Sequence, residues 1–121
     1  MRSSLIFALF LVSSVAHSAA GNVDSGGDVF DTNCAECHSL KPGKVKKGPS
    51  LAGIFTRTAG TVAGFKYSDA MRNAKFLWND QQLNVYITAP KKLIPGGIMK
   101  FDGLSSAQER ADLIAFLHAE K

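Results

Sequence analysis

The two cysteines of this 121-residue chain fall within one stretch of five, Cys34-Ala35-Glu36-Cys37-His38, and no other feature limits its fold as tightly. Three chemistries use such a pair: a redox or structural disulfide, half of a zinc site, or two thioether links to a haem. A structural zinc site needs four nitrogen or sulfur ligands, and no further cysteine is there to complete one. A thioredoxin-like dithiol belongs beside a βαβ pattern, which the chain lacks. A disulfide across so short a loop encloses few residues and stabilises little. C-x-x-C-H places two thiols one helical turn apart, each able to add to one vinyl group. The adjacent histidine then lies under the iron as its proximal ligand. The motif therefore favours covalent haem attachment, with His38 on the metal.

The first twenty residues read as a leader. Arg2 is followed by an unbroken apolar run, residues 5–12 (LIFALFLV), and then by small residues at Ser18 and Ala20. That layout predicts a secretory signal peptide over residues 1–20, cleaved after Ala20, with the mature domain at 21–121. The apolar run is too short to span a bilayer, which disfavours an uncleaved anchor. Removing the leader takes only Arg2 from the charged set and leaves 13 basic against 10 acidic side chains, a net charge of +3. His17 also leaves, so the mature histidines are His38 and His118. A basic balance suits acidic protein partners or anionic surfaces. No basic helix or aromatic stacking motif supports nucleic-acid binding.

The rest of the chain predicts short helices separated by long loops. A helical pattern follows Asp24, carries Val29 and Phe30 on one face, and ends near the CAECH stretch. Gly26 and Gly27 inside it weaken a helix, which makes sense if another helix must come close. Residues 39–66 have no sustained period and read as loop, a length that in compact domains is usually functional. Ser68-Asp69 caps a short helix that runs to Lys75. Asn79-Asp80 caps another through Ala89, stopped by Pro90. Residues 91–103 read as loop again. Ser106 and Glu109 form a capping box for the last helix, whose stripe is Leu113, Ile114, Phe116 and Leu117. No strand alternation stands out. The fold class is all-α, a single domain, with a core that a large apolar cofactor would complete.

A six-coordinate iron needs a second axial ligand from Met71, Met99 or His118. Met71 lies in an amphipathic helical segment, the setting of a core filler. His118 sits near the chain end and is expected in solvent. Met99 lies in a Pro- and Gly-rich loop, residues 94–101 (IPGGIMKF), that can approach a flat cofactor. Met99 is the predicted ligand.

The chain resembles the class I, mitochondrial-like cytochromes c and is identified with their bacterial periplasmic members. In order, the motifs are G-x-x-x-F before CAECH, KKGPSLAGIFTR, GFKYSDA, the lone Trp78, YITAPKKLIPGGIM and DLIAFL. The resemblance covers residues 24–120. It implies that Cys34 and Cys37 carry the haem, that His38 and Met99 are its axial ligands, and that the Pro49 carbonyl orients the His38 ring. It implies that Arg57, Tyr67 and Trp78 hold the inner propionate and that Tyr86 points its hydroxyl at the Met99 sulfur. It also implies that Gly26 and Phe30 pack on Leu113 and Phe116 where the first and last helices cross. Met71 and Gly97 stand where the family usually has Asn and Thr, which is expected to alter a buried water network beside Met99. Ile98 and Asn33 replace lysines near the haem edge.

His/Met ligation raises the potential and closes the iron to substrate, so the expected role is one-electron transfer rather than catalysis. The expected protein is a monomeric periplasmic carrier with no membrane span. It would shuttle between respiratory or photosynthetic complexes: a bc-type complex, a terminal oxidase, a reaction centre or a dehydrogenase. Lys44, Lys46, Lys47, Lys91, Lys92 and Lys100 would dock acidic partner surfaces. A dedicated acceptor for one dehydrogenase, a peroxidase-like or ligand-sensing haem protein, and a haem-free disulfide domain are the alternatives.

Overall fold

The structure, a computed structural model, describes residues 20–120. The expected leader, except Ala20, lies outside the described residues. Five helices follow one another: α1 (Val23–Asn33), α2 (Asp69–Ala74), α3 (Asp80–Thr88), α4 (Pro90–Leu93) and α5 (Ala107–Ala119), with a 3-10 turn at Ile54–Thr56. The described residues contain no strand, only an isolated bridge between Thr58 and Leu77. The all-α expectation is borne out.

The helix starts are written locally. Ser68, Asn79 and Ser106 each accept the backbone N–H three residues on, which satisfies one of the orphan donors of a first turn. The first helix opens at Val23, just before the Asp24 that the expected pattern follows. Asn22 accepts the Ser25 N–H, and Asp24 lies in the first turn, where a negative charge suits the helix dipole. Pro90 ends α3 as expected, but it also opens α4, which the sequence reading had as loop. Proline has its torsion preset for a first helical position, and Lys92 and Leu93 N–H both reach the Ala89 carbonyl.

α1 and α5 cross in contact. A Cβ on Gly26 would lie 2.0 Å from the Asp112 carbonyl oxygen and 2.6 Å from the Phe116 Cβ. The two backbones touch there, and only a residue without a side chain fits. Phe30 meets Phe116 with ring centroids 5.7 Å apart, and Leu113 is 2% exposed. Leu104 N–H bonds the Ile87 carbonyl at 2.7 Å and ties the loop before α5 to α3. Between this helix pair and α3, the long loops at residues 39–66 and 94–103 wrap around a cavity.

Candidate functional site

One wall of the cavity comes from the end of α1. Beyond Cys34 the chain makes one more turn, with Cys37 and His38 N–H both bonded to the Cys34 carbonyl at 3.0 and 2.8 Å. Both sulfurs and the imidazole border the cavity. His38 Nδ1 lies 2.7 Å from the Pro49 carbonyl oxygen. A carbonyl only accepts, so Nδ1 carries the proton, and in the neutral ring Nε2 keeps its lone pair. Burial pushes the imidazole below its ordinary range; the Pro49 contact opposes that shift, while Arg57 and Lys46 reinforce it. The ring is thus a neutral donor, the form a metal takes. Burial, and then the neighbouring Cys37, push the Cys34 thiol up to about 11, which does not suit a reactive thiolate.

Gly48 is a positioning residue that the sequence reading passed over. Its Cβ would stand 2.5 Å from His38 Cε1 and 2.8 Å from Nδ1. Its N–H bonds the Cys37 carbonyl at 2.7 Å. Glycine immediately before a proline in KKGPS was the available signal.

Another wall is the loop after α4. Gly97 N–H closes on the Ile94 carbonyl at 3.0 Å, and Gly96 has φ 88°. Pro95 followed by a positive-φ glycine is the sequence of a type II turn, which here presents Met99 to the cavity. The Tyr86 hydroxyl donates to Met99 Sδ at 3.9 Å. Tyr86 is buried, and burial pushes its phenol up to about 12. Gly97 and Met71 also line the cavity, so neither offers a side-chain hydrogen-bonding group of the kind Thr or Asn would.

Two thiols, an imidazole and a thioether therefore share one cavity of about 420 Å³, walled by Leu51, Trp78, Leu83 and Phe101 among others. An apolar hollow of that size in a domain this small calls for a large apolar filling. Soft sulfur and nitrogen donors on one cavity suit a haem iron. Among the described residues no group of three His, Cys, Asp or Glu could hold a bare metal ion. The residues present fit a haem.

Cys34, Cys37, His38, Pro49, Tyr67, Trp78, Tyr86 and Met99 all border this cavity, whereas Arg57 stands behind its wall. The Arg57 guanidinium donates to the Ser50 and Ala52 carbonyls at 2.5 and 2.9 Å. It fastens the His38-side loop rather than facing the cavity. Tyr67 accepts the Val62 N–H at 3.1 Å. Trp78 is packed between Phe76 and Tyr86, with centroids 4.8 and 5.2 Å away. Met71, expected as core filler, lies on the cavity wall. His118, expected in solvent, is half-exposed; it stacks on Phe55 at 3.9 Å and bonds Asp80 at 2.6 Å. Lys47 and Lys100 reach the cavity rim beside Asn33 and Ile98.

Comparison with known proteins agrees with this geometry. The cytochrome c family profile matches residues 23–120. A cytochrome c of Guizotia abyssinica is 45% identical over 107 residues, covering 88% of this chain and 96% of its own. That of Chlamydomonas reinhardtii is 46% identical with the same coverage. That of Cochliobolus lunatus is 46% identical over 101 residues, 83% of this chain and 94% of its own. These relatives overturn the periplasmic expectation. They come from plants, algae and a fungus, where cytochrome c is a protein of mitochondria and not of a bacterial periplasm.

Proposed function

The chain belongs to the cytochrome c family, whose members are electron carriers with covalently attached haem c rather than enzymes, and from that premise we propose how its own residues do this work. Cys34 and Cys37 would hold the haem through their thiols, and His38 Nε2 and Met99 Sδ are the donors that would ligate its iron. The observation that carries this is the placement of all four on one apolar cavity. When bound, the haem supplies a one-electron ferric–ferrous couple.

The protein's part is to keep that couple closed and rigid. The Pro49 carbonyl fixes the His38 ring and its tautomer, as outer-shell partners of metal-bound histidines do. Gly48 leaves the ring its place. The type II turn at residues 94–97 sets Met99, and Tyr86 steadies its sulfur. Tyr67 and Trp78 line the inner side, with Arg57 tying down the loop behind them. With His38 and Met99 both given to the iron, no position would be left on it for a substrate.

Electrons would pass at the rim where Lys47 and Lys100 stand. With Lys44, Lys46, Lys91 and Lys92 they make a basic face for acidic surfaces of membrane redox complexes: a bc-type complex, a terminal oxidase, a reaction centre or a dehydrogenase. Such encounters are fast and salt-sensitive. Among the described residues no helix is long and apolar enough to cross a membrane.

The optical spectrum of the holoprotein tests the ligand set. A low-spin spectrum in both oxidation states, with the weak far-red sulfur-to-iron band in the ferric form, is the expected result. A high-spin spectrum, or carbon monoxide binding to the ferrous form at neutral pH, would show an open iron and a gas- or peroxide-handling protein instead.

A further inference from the structure

We propose that the chain is cut between Ala20 and Gly21, and that the α-ammonium freed on Gly21 is received by the buried carboxylate of Asp112. The inference stands apart from the electron-carrier reading and holds or fails without it.

Asp112 lies on α5 and is 7% exposed. Its Oδ1 accepts the Asn22 backbone N–H at 2.7 Å and the Gln108 Nε2–H at 2.8 Å. Both donors are neutral. Among the described residues no lysine, arginine or histidine pairs with it; the ion pairs there are Lys47–Glu36, Arg72–Asp69 and His118–Asp80. A buried carboxylate held only by neutral donors is a costly arrangement, and a cation within reach relieves it.

Gly21 is built against the same spot. A Cβ on Gly21 would sit 2.1 Å from the Ala111 carbonyl oxygen and 2.9 Å from the Ala115 Cβ. Gly21 therefore lies directly on the backbone of α5, one residue before the amide that Asp112 already holds. Gln108 Nε2 also reaches the Ala20 carbonyl, at 3.5 Å. Ala20 is exposed while Gly21 is half-buried, so the bond between them lies at the surface of the described fold. The other charged groups at this end are spoken for or turned elsewhere. Asp80 and His118 pair with each other. Arg110 donates to the Asn84 side chain and to the Leu104 and Ser105 carbonyls. Asp24 sits in the first turn of α1 and Glu109 in that of α5.

The step is a hydrolysis. Water adds across the Ala20–Gly21 amide, leaving a carboxylate on Ala20 and an amine on Gly21 that takes up a proton. A leader-cleaving endopeptidase performs it without oxidant or reductant. The small residues at Ser18 and Ala20 fit such a cut. Both donors go to Asp112 Oδ1, and the proposal assigns Oδ2 to the ammonium.

The test begins with the full chain expressed in a host that attaches haem c. The mature N-terminus is identified by intact mass and terminal sequencing. The Gly21 α-amine is then titrated by NMR in protein labelled with ¹³C-glycine. The expected result is an unblocked Gly21 whose amine titrates about one pH unit above the ordinary range of about 7.7–8.0, and which returns to that range in Asp112→Asn. A first residue other than Gly21, a blocked amine, or an amine of ordinary titration in the wild type would overturn the proposal. The wild-type titration decides the matter by itself if Asp112→Asn does not fold.

Discussion

The α1–α5 crossing and the haem cavity are built from the same chain on opposite plans. At the crossing, backbone meets backbone: Gly26 has no room for a methyl group, Phe30 rests on Phe116, and Leu113 and Leu117 close the seam. That region is complete in itself. The cavity is walled by loops whose apolar side chains face about 420 Å³ of space. Its frame is held by scattered hydrogen bonds: His38 to Pro49, Arg57 to Ser50 and Ala52, Tyr86 to Met99. A close-packed seam tolerates no addition, because interiors pack like crystals. A loop-walled cavity requires one, because its frame gains little from itself.

The largest effect should come from denying the cavity its filling. Cys34→Ser together with Cys37→Ser prevents covalent attachment. The expected outcome is loss of the cooperative unfolding transition, a destabilisation comparable to the entire stability of about 5–15 kcal/mol. Near-ultraviolet circular dichroism and a thermal melt read it. A double variant that melts cooperatively near the wild-type midpoint would mean that the loops hold themselves.

The next effect belongs to the seam. Gly26→Ala in the holoprotein should cost about 3 kcal/mol, because its methyl group meets the Asp112 carbonyl and the structure must shift. Gly43→Ala is the matched control. Its φ is 73° and nothing lies within 4 Å of its Cβ, so only the backbone penalty of about 1–2 kcal/mol remains. Denaturant midpoints compare the two, and equal losses would remove the case for backbone contact at the crossing.

Smaller again is Tyr86→Phe. It removes the hydroxyl that donates to Met99 and should lower stability by about 0.5–1.5 kcal/mol. The far-red sulfur-to-iron band should weaken or disappear at a lower pH than in the wild type. An unchanged band with unchanged stability would show that the turn at residues 94–97 alone positions the sulfur.

The smallest effect is Glu36→Gln. It breaks the Glu36–Lys47 pair between two largely exposed side chains, and exposed pairs contribute little against solvent and salt. No measurable change in the unfolding midpoint is expected. A clear loss would mark the rim as part of the frame.

The sequence by itself determined what is local. Two thiols one turn apart with a histidine beside them specify haem attachment, because reach along one helical turn depends on little else. Ser68, Asn79 and Ser106 wrote three helix starts, since a cap bonds an N–H three residues away. Pro95 and Gly96 announced the turn that carries Met99. The tertiary structure decided the rest, where the partner lies far along the chain. Asp112 is a charged residue beside an apolar stripe, and its burial becomes legible when Asn22, ninety positions away, returns to donate its N–H to it. His118 reads as a terminal polar residue until Phe55 and Asp80 arrive beside it. Arg57 turned toward two loop carbonyls instead of the cavity, a choice that depends on where residues 50–52 fold. Hydrogen-bond reach along a helix is set by covalent geometry. Which distant groups meet is set by how the helices cross and by what the loops close around.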